Sequence, residues 1–395
     1  KGAPLNRDIA RLIVVKAAGG AFFLYPVYTL FLLSRDLDLT GIMTLESILA
    51  LFLILWEVPS GALADRFGKK RLIALGCLLE LVSSVPMLWV EGFWAFAVLY
   101  ALSGVGIASL SGSLEAYLYE KLEEKEGMTR YLGYLRGAEW GGMLCGALVG
   151  GSIVAWGAID EYALCIQLFI AAQVVALVGA LTLTADAPGK GEHRDGFATI
   201  LRSGGRMVFG IGGVLGLVLV ALAVQGLSDR HYLWQPYLQV QGLEVRWFGA
   251  VAVLVCGCCT AGSLAAGWVS RLLARRVVIV AAGVLMLASL VAIVWVRDYR
   301  MAISAFLLLF FLGNLIEPIF TSMLNERFPD EARATALSCA SWVSGGIVMA
   351  VRPGMGFLAD LEITYPFAVD IAVVGAGVLA VSIGWRWMVR DGLRR

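Results

Sequence analysis

Apolar positions fall into long continuous runs, broken by short polar stretches that hold most of the charge. A helix needs roughly 20 mostly apolar residues to cross a bilayer. Twelve runs approach or exceed that length: 9–33, 41–64, 72–90, 93–119, 131–154, 162–184, 209–241, 247–270, 277–296, 301–325, 334–358 and 366–388. They lack the period-two alternation of barrel strands, so each predicts a helix. The pattern predicts an all-α integral membrane protein with twelve transmembrane helices. The first run leads directly into the bundle, and no signal peptide is expected before it.

Composition narrows the class further. Apolar residues make up 59% of the chain, charged residues 15%, and mean hydropathy is +0.82. A soluble domain carries about 25% charged residues. These values exclude a soluble enzyme, a disulfide scaffold and a disordered chain. A net charge of +1 gives no reason to expect nucleic acid as a partner. The cysteines sit in apolar segments and read as small hydrophobes. Cys256, Cys258 and Cys259 have no accompanying His, so no metal is expected. GIGGVLG at 210–216 imitates a glycine-rich loop but lies inside a membrane run with no preceding strand. No cofactor is expected, and no hydrolase or kinase motif is present.

Basic residues fix the orientation, because they collect on the cytoplasmic side. Lys1, Arg7, Arg11 and Lys16 lie at the start; Arg66, Lys69, Lys70 and Arg71 follow the second run. Lys121, Lys125 and Arg130, then Lys190, Arg194, Arg202 and Arg206, then Arg271, Arg275 and Arg276 continue the same alternation. The opposite loops hold Arg35, Arg246, Arg297 and Arg300. Both termini are therefore expected in the cytoplasm, in a bacterial-type inner membrane.

Residues 185–206, rich in Gly and charge, read as a cytoplasmic linker between a six-helix half at 1–184 and another at 207–395. The halves echo each other. GALADRFGKKR from Gly61 matches GWVSRLLARR from Gly267, and LYEKL from Leu118 matches LNERF from Leu324, at one common offset. Pro26 and Pro236 stand at nearly the same offset. Such repeats predict two halves related by an axis along the membrane normal, with a substrate site near midplane.

The stretch GALADRFGKKR resembles the signature loop of the major facilitator superfamily, and the twelve-helix plan extends the resemblance over the chain. The context WEVPSGALADRFG, with SGSLEAYLYE in the fourth run, is similar to the macrolide and multidrug efflux branch. The resemblance implies that Asp65 locks the cytoplasmic side in the outward-open state, framed by Gly61, Arg66, Gly68 and Lys69. Two positions depart from the drug–proton antiporter pattern. Tyr100 stands where antiporters carry an Arg ahead of a Gly-x-Gly step, here Gly104-Val105-Gly106. Gly142 stands where their fifth helix has Pro. Gly142, Gly146 and Gly150 keep a four-residue spacing that favours close helix contact.

Charge at membrane depth costs about 3 kcal/mol or more unless paired or wet, so each buried ionisable group is a candidate site. Glu317 falls near midplane, with Asn314 and Thr321 on its face. Lys16, Glu57, Glu115, Arg136 and Glu139 form a denser set nearer the cytoplasm, with Arg136 and Glu139 on one helical face. That set reads as an ion-pair network from which Glu115 stands out as functional. Asp229, Arg230 and His231 form a possible substrate or proton cluster, in or outside the membrane. Arg352 is an anion contact or an outer anchor. Glu46, Glu80 and Asp370 read as end or packing groups. Phe22, Phe23, Tyr25, Tyr28 and Trp234 are candidates for an aromatic lining.

Together these readings predict a secondary transporter working by alternating access, with proton-coupled export of a small amphipathic or anionic molecule such as a drug or siderophore-like metabolite. Protons, the bilayer and one small-molecule substrate are the expected partners, and a monomer is expected. A proton-coupled nutrient importer, and a lipid flippase or non-transporting sensor, are the alternatives.

Overall fold

The computed structural model describes residues 7–122, 128–157, 160–185, 230–325 and 333–390. These residues are helical, with no strand among them. Ten of their helical segments are long and apolar enough to cross a membrane. They correspond to ten of the twelve expected runs. The seventh run lies largely outside the described residues, and the eleventh appears as one long helix, Arg333–Leu361.

Helices α1 (Arg7–Gly20) and α2 (Tyr28–Leu33) together make the first span. The sequence predicts one uninterrupted helix there; the structure breaks it. Gly19 and Gly20 each weaken a helix by about 1 kcal/mol relative to Ala, and Pro26 has no N–H to continue the ladder. Local turns replace the lost helical bonds, including Phe22 N to Gly20 O and Val27 N to Leu24 O. A 3-10 turn at Tyr25–Val27 leads into α2.

The remaining helices of the first half are α3 (Leu39–Phe67), α4 (Lys69–Ser84), α5 (Phe93–Lys121), α6 (Met128–Trp156) and α7 (Glu161–Leu181). Then follow α8 (Arg230–Val240), α9 (Phe248–Leu272), α10 (Arg275–Trp295), α11 (Tyr299–Asn325), α12 (Arg333–Leu361) and α13 (Tyr365–Arg390).

Contacts divide the chain into two compact units. The first holds Lys1–Leu37, Thr44–Arg194 and Val245–Val253; the second holds Asp38–Met43, Asp195–Glu244 and Leu254–Arg395. The expected linker 185–206 lies outside the described residues after Ala185.

In the first unit, α6 lies directly on α1. A Cβ added at Gly146 would stand 2.7 Å from the Phe22 carbonyl oxygen. At Gly142 and Gly150 it would overlap the carbonyl oxygens of Ala17 and Phe23. The four-residue glycine spacing therefore brings two backbones together, as the sequence suggests. Helix α5 fits between α3 and α4 in a similar way: Gly104 faces Leu49 and Phe52 of α3, and Gly106 faces Gly76 and Glu80 of α4. Asp8, buried at 4% exposure, ties helix ends together. It accepts hydrogen bonds from Tyr117 of α5 and the Thr184 backbone, and it pairs with Arg11 at 3.0 Å.

In the second unit, α8 is packed by its buried face of Leu233, Trp234, Tyr237 and Leu238. Tyr237 donates to the Ile293 carbonyl at 2.5 Å and stacks edge-on against Phe306 and Phe367. Pro236 lies inside α8, whereas Pro26 opens a 3-10 turn. The two prolines share a sequence offset but not a local conformation, because Pro26 follows the Gly19–Gly20 break.

Candidate functional site

The signature loop folds as its residues require. Helix α3 ends at Phe67, and Gly68 takes φ 96°, a left-handed value that favours glycine. Helix α4 then starts at Lys69. Lys69 Nζ pairs with Glu120 of α5 at 2.7 Å, and the Arg66 guanidinium rests over the Phe67 ring. Asp65 is half-buried and forms no ion pair with a described residue. Gly61 lies on α3 one turn before it.

Above this loop the first unit holds a partly open cavity of about 370 Å³. Its polar lining comes from Lys16 of α1, Glu80 of α4, Ser111 and Glu115 of α5, Arg136 and Glu139 of α6, and Gln173 of α7. Four of the charged residues singled out in the sequence thus meet in one space. Lys16 Nζ and Glu139 Oε1 form an ion pair at 3.0 Å. The backbone contact of α1 with α6 enforces this pair, since a Cβ on Gly20 would overlap the Glu139 carbonyl oxygen. Arg136 and Glu115 line the same cavity, and neither is ion-paired to a described residue. The expected network is therefore smaller than the sequence suggests. Glu57, an exposed residue of α3, is not among the cavity's lining residues.

A second cavity of about 230 Å³ follows in the same unit. It is lined by Phe22, Tyr28, Glu46, Tyr100, Ser103 and Phe169 among others, and it shares Gly19 and Glu80 with the first. Tyr28 and Tyr100 hydroxyls meet at 2.5 Å. The position that carries Arg in antiporters is thus one half of a tyrosine pair. Glu80 accepts a hydrogen bond from Ser103 Oγ at 2.8 Å. The sequence assigns Glu80 to packing; the structure adds a place at the wall of both cavities. Its spacing from Lys69 could have revealed its depth, but not the side it faces.

The second-unit candidates are more dispersed. Glu317 is exposed on α11. Asn314, expected to work with it, donates its side-chain amide to the Phe310 carbonyl of its own helix at 2.9 Å. Its Cβ packs where α9 passes at Gly262. His231 stacks edge-on against Phe310 with ring centroids 4.9 Å apart, which sets the start of α8 against α11. Arg352 of α12 lies over the Tyr232 ring of α8 at 5.9 Å. Asp370, read from the sequence as an end or packing group, is buried at 2% exposure. Asp229 lies outside the described residues, and so do the side chains of Arg230 and Thr321.

The family model of the Major Facilitator Superfamily matches residues 12–353. The chain belongs to this superfamily. It is a multi-pass membrane transporter, not an enzyme. A multi-drug resistance efflux pump PmrA homolog from Lactococcus lactis subsp. lactis (strain IL1403) is 32% identical over 96 residues. That match covers 24% of this chain and 24% of the relative. An uncharacterized MFS-type transporter, YxaM of Bacillus subtilis (strain 168), is 23% identical over 345 residues, covering 84% of this chain and 83% of that one. Among solved structures, the nucleoside transporter NupG is similar in fold, with a TM-score of 0.73 at 12% identity. The alignment covers 97% of this chain and 98% of that one.

Proposed function

We propose that this transporter is secondary active and exports a small amphipathic or anionic molecule in exchange for protons. One observation carries the reading. The cavity of about 370 Å³ presents Arg136 without a paired described carboxylate, beside Lys16 already neutralised by Glu139. Small-molecule sites span about 300–1,000 Å³ and use few placed polar groups. An unengaged guanidinium offers a two-pronged hydrogen-bond fork that matches a carboxylate. Apolar walls from Leu110, Leu114, Leu132 and Leu135 suit the rest of an amphipathic cargo.

No nucleotide-binding motif supplies ATP energy, so an ion gradient drives the cycle. The cavity's carboxyl groups make protons the natural coupling ion. The efflux-pump homolog, though it matches a quarter of the chain, supports export. The site opens alternately to the two sides, with Asp65 acting as the cytoplasmic lock. The protein works as a monomer in a bacterial-type cytoplasmic membrane, both termini inside. Within the second unit, Glu317, Arg352 and His231 are the candidates for cargo contact.

Metabolite profiling of medium and cells from a deletion strain tests this reading. The expected result is retention of a carboxylate-bearing compound in the cells. Restoring the gene should release it, and Arg136→Gln should not. Depletion of the compound from cells instead would establish import and overturn the direction.

A further inference from the structure

The two cavities of the first unit lie end to end, and three helices show it independently. Along α4 the first cavity takes Cys77 and Glu80, while the second takes Glu80, Ser83 and Ser84. Along the first span the first takes Val15, Lys16 and Gly19, and the second takes Gly19, Phe22 and Tyr28. Along α5, which runs the other way, the first takes Ile107–Glu115 positions and the second takes Phe96–Ser103 positions. The division falls at the same level each time, and Glu80 stands on it. From Lys69, at the signature loop, the rise along α4 to Glu80 is roughly 16 Å at about 1.5 Å per residue. That is about half of a hydrocarbon core of roughly 30 Å.

The carboxyl group is held but not neutralised. Ser103 Oγ donates to Oε1 at 2.8 Å. Gly106 leaves room for that oxygen, since a Cβ there would stand 2.9 Å away. No described cation forms an ion pair with Glu80. The ionisable groups facing it are known on each side. Towards the loop these are Cys77, Lys16, Glu139, Glu115 and Arg136, with Lys16 occupied by Glu139. On the other side these are Glu46 and the Tyr28–Tyr100 hydroxyl pair. From α7 only Gln173, Ala176 and Phe169 contribute, none of them ionisable.

We propose that Glu80 is a proton-binding site at the neck between these cavities, taking a proton from one and releasing it to the other. The inference deepens the proton-coupled reading above and names its carrier. A carboxyl without a fixed counter-charge gains and loses a proton without breaking an ion pair. The Ser103 hydroxyl can donate to either form. The tyrosine pair and Glu46 continue the polar route on one side, and Glu115 and Glu139 on the other. A purely structural Glu80 would serve only to hold α4 to α5 through Ser103.

The test needs no substrate. Purified protein in proteoliposomes is treated with dicyclohexylcarbodiimide, which modifies protonated carboxyl groups in apolar surroundings, and the adduct is located by peptide mass spectrometry. We expect modification of Glu80 at acidic pH, falling several-fold at alkaline pH. Raising the pH of either the internal or the external compartment alone should lower it. Ser103→Ala should retain the pH response, and Glu80→Gln should fold and lose the adduct. An unmodified Glu80, a pH-independent adduct, or a response to one compartment only would overturn the proposal. Failure of proton coupling itself would appear separately, as wild-type export that ignores an imposed pH gradient.

Discussion

Substituting Gly146 by Ala tests the contact on which the charged cavity rests. The new Cβ would lie 2.7 Å from the Phe22 carbonyl oxygen and 2.9 Å from its nitrogen. A carbon rests about 3.3–3.6 Å from a carbonyl oxygen, so α6 must retreat by roughly 0.6–0.9 Å. Overpacking of this kind costs about 1–3 kcal/mol. It is partly offset by the roughly 1 kcal/mol by which Ala is the better helix former. Gly137, on the same helix, has nothing within 4 Å of its built Cβ, so its Ala variant receives the propensity gain alone. Gly146→Ala should therefore be less stable than Gly137→Ala by about 1–3 kcal/mol. The two substitutions are chemically identical, which removes composition as an explanation. Thermal unfolding in one detergent, followed by size-exclusion recovery, gives the rank order even where unfolding is irreversible. Equal stability of the two variants would refute backbone contact at this point between α6 and the turn that follows α1.

Four further outcomes are expected from the sequence and the structure together. Asp65→Asn should reach the membrane in normal amounts yet slow export several-fold and shift crosslinking towards inward-open; unchanged export would remove its role as a lock. Asp360 accepts from the backbone N–H groups of Leu39 and Thr40 at 2.8 Å and from Thr40 Oγ1 at 2.6 Å, so it caps α3 from another helix. Its replacement by Ala should cost about 1 kcal/mol, the usual worth of an N-cap, and lower the thermal unfolding midpoint; an unchanged midpoint would deny the cap an energetic role. Glu317→Gln should weaken export through cargo affinity while the pH gradient still drives it, and loss of the drive with affinity intact would move coupling to α11. A cysteine at His193 should react with impermeant thiol reagents only from the cytoplasmic side; labelling from outside would reverse the topology.

The spans were legible because a bilayer demands long apolar runs, and ten of them reappear as described helices. The turn at Gly68 and the glycine stripe on α6 were legible for a related reason: glycine at fixed spacing has few other uses in a membrane helix. The interruption of the first span was not. Gly19, Gly20 and Pro26 are all visible in the sequence, but membrane helices often tolerate such residues, and only their joint effect opens the chain. Asp8 and Asp360 were missed because capping partners lie 176 and 320 residues away. Glu80 reads from the sequence as no more than an end or packing group, although its distance from Lys69 along the chain carries its depth. Depth follows from counting residues, whereas facing depends on Ser103 and Gly106 of the next helix.

The departures at Gly142 and Tyr100 fit together in the structure. Antiporters that resemble this chain carry Pro where Gly142 stands. Here the missing Cβ lets α6 meet the Ala17 carbonyl directly, within one turn of Glu139 on α6 and one residue from Lys16 on α1. A bulkier residue would push apart the same two helices that form the Lys16–Glu139 pair at 3.0 Å. Tyr100, in the place of an Arg, leaves α5 without a cation at that level and joins Tyr28 instead. The cations of the first unit's cavity therefore come from α1 and α6, on the signature-loop side of Glu80, while the other side of Glu80 holds neutral hydroxyls and Glu46. Under the proposed exchange, an anionic cargo would be drawn to the loop side of the neck, where Arg136 lines the cavity, while the proton's route would run through Glu80 between the two sides. Exchange would then need only that the charge on Glu80 change how strongly the Arg136 side of the cavity holds an anion, a coupling that acts equally in the reverse sense.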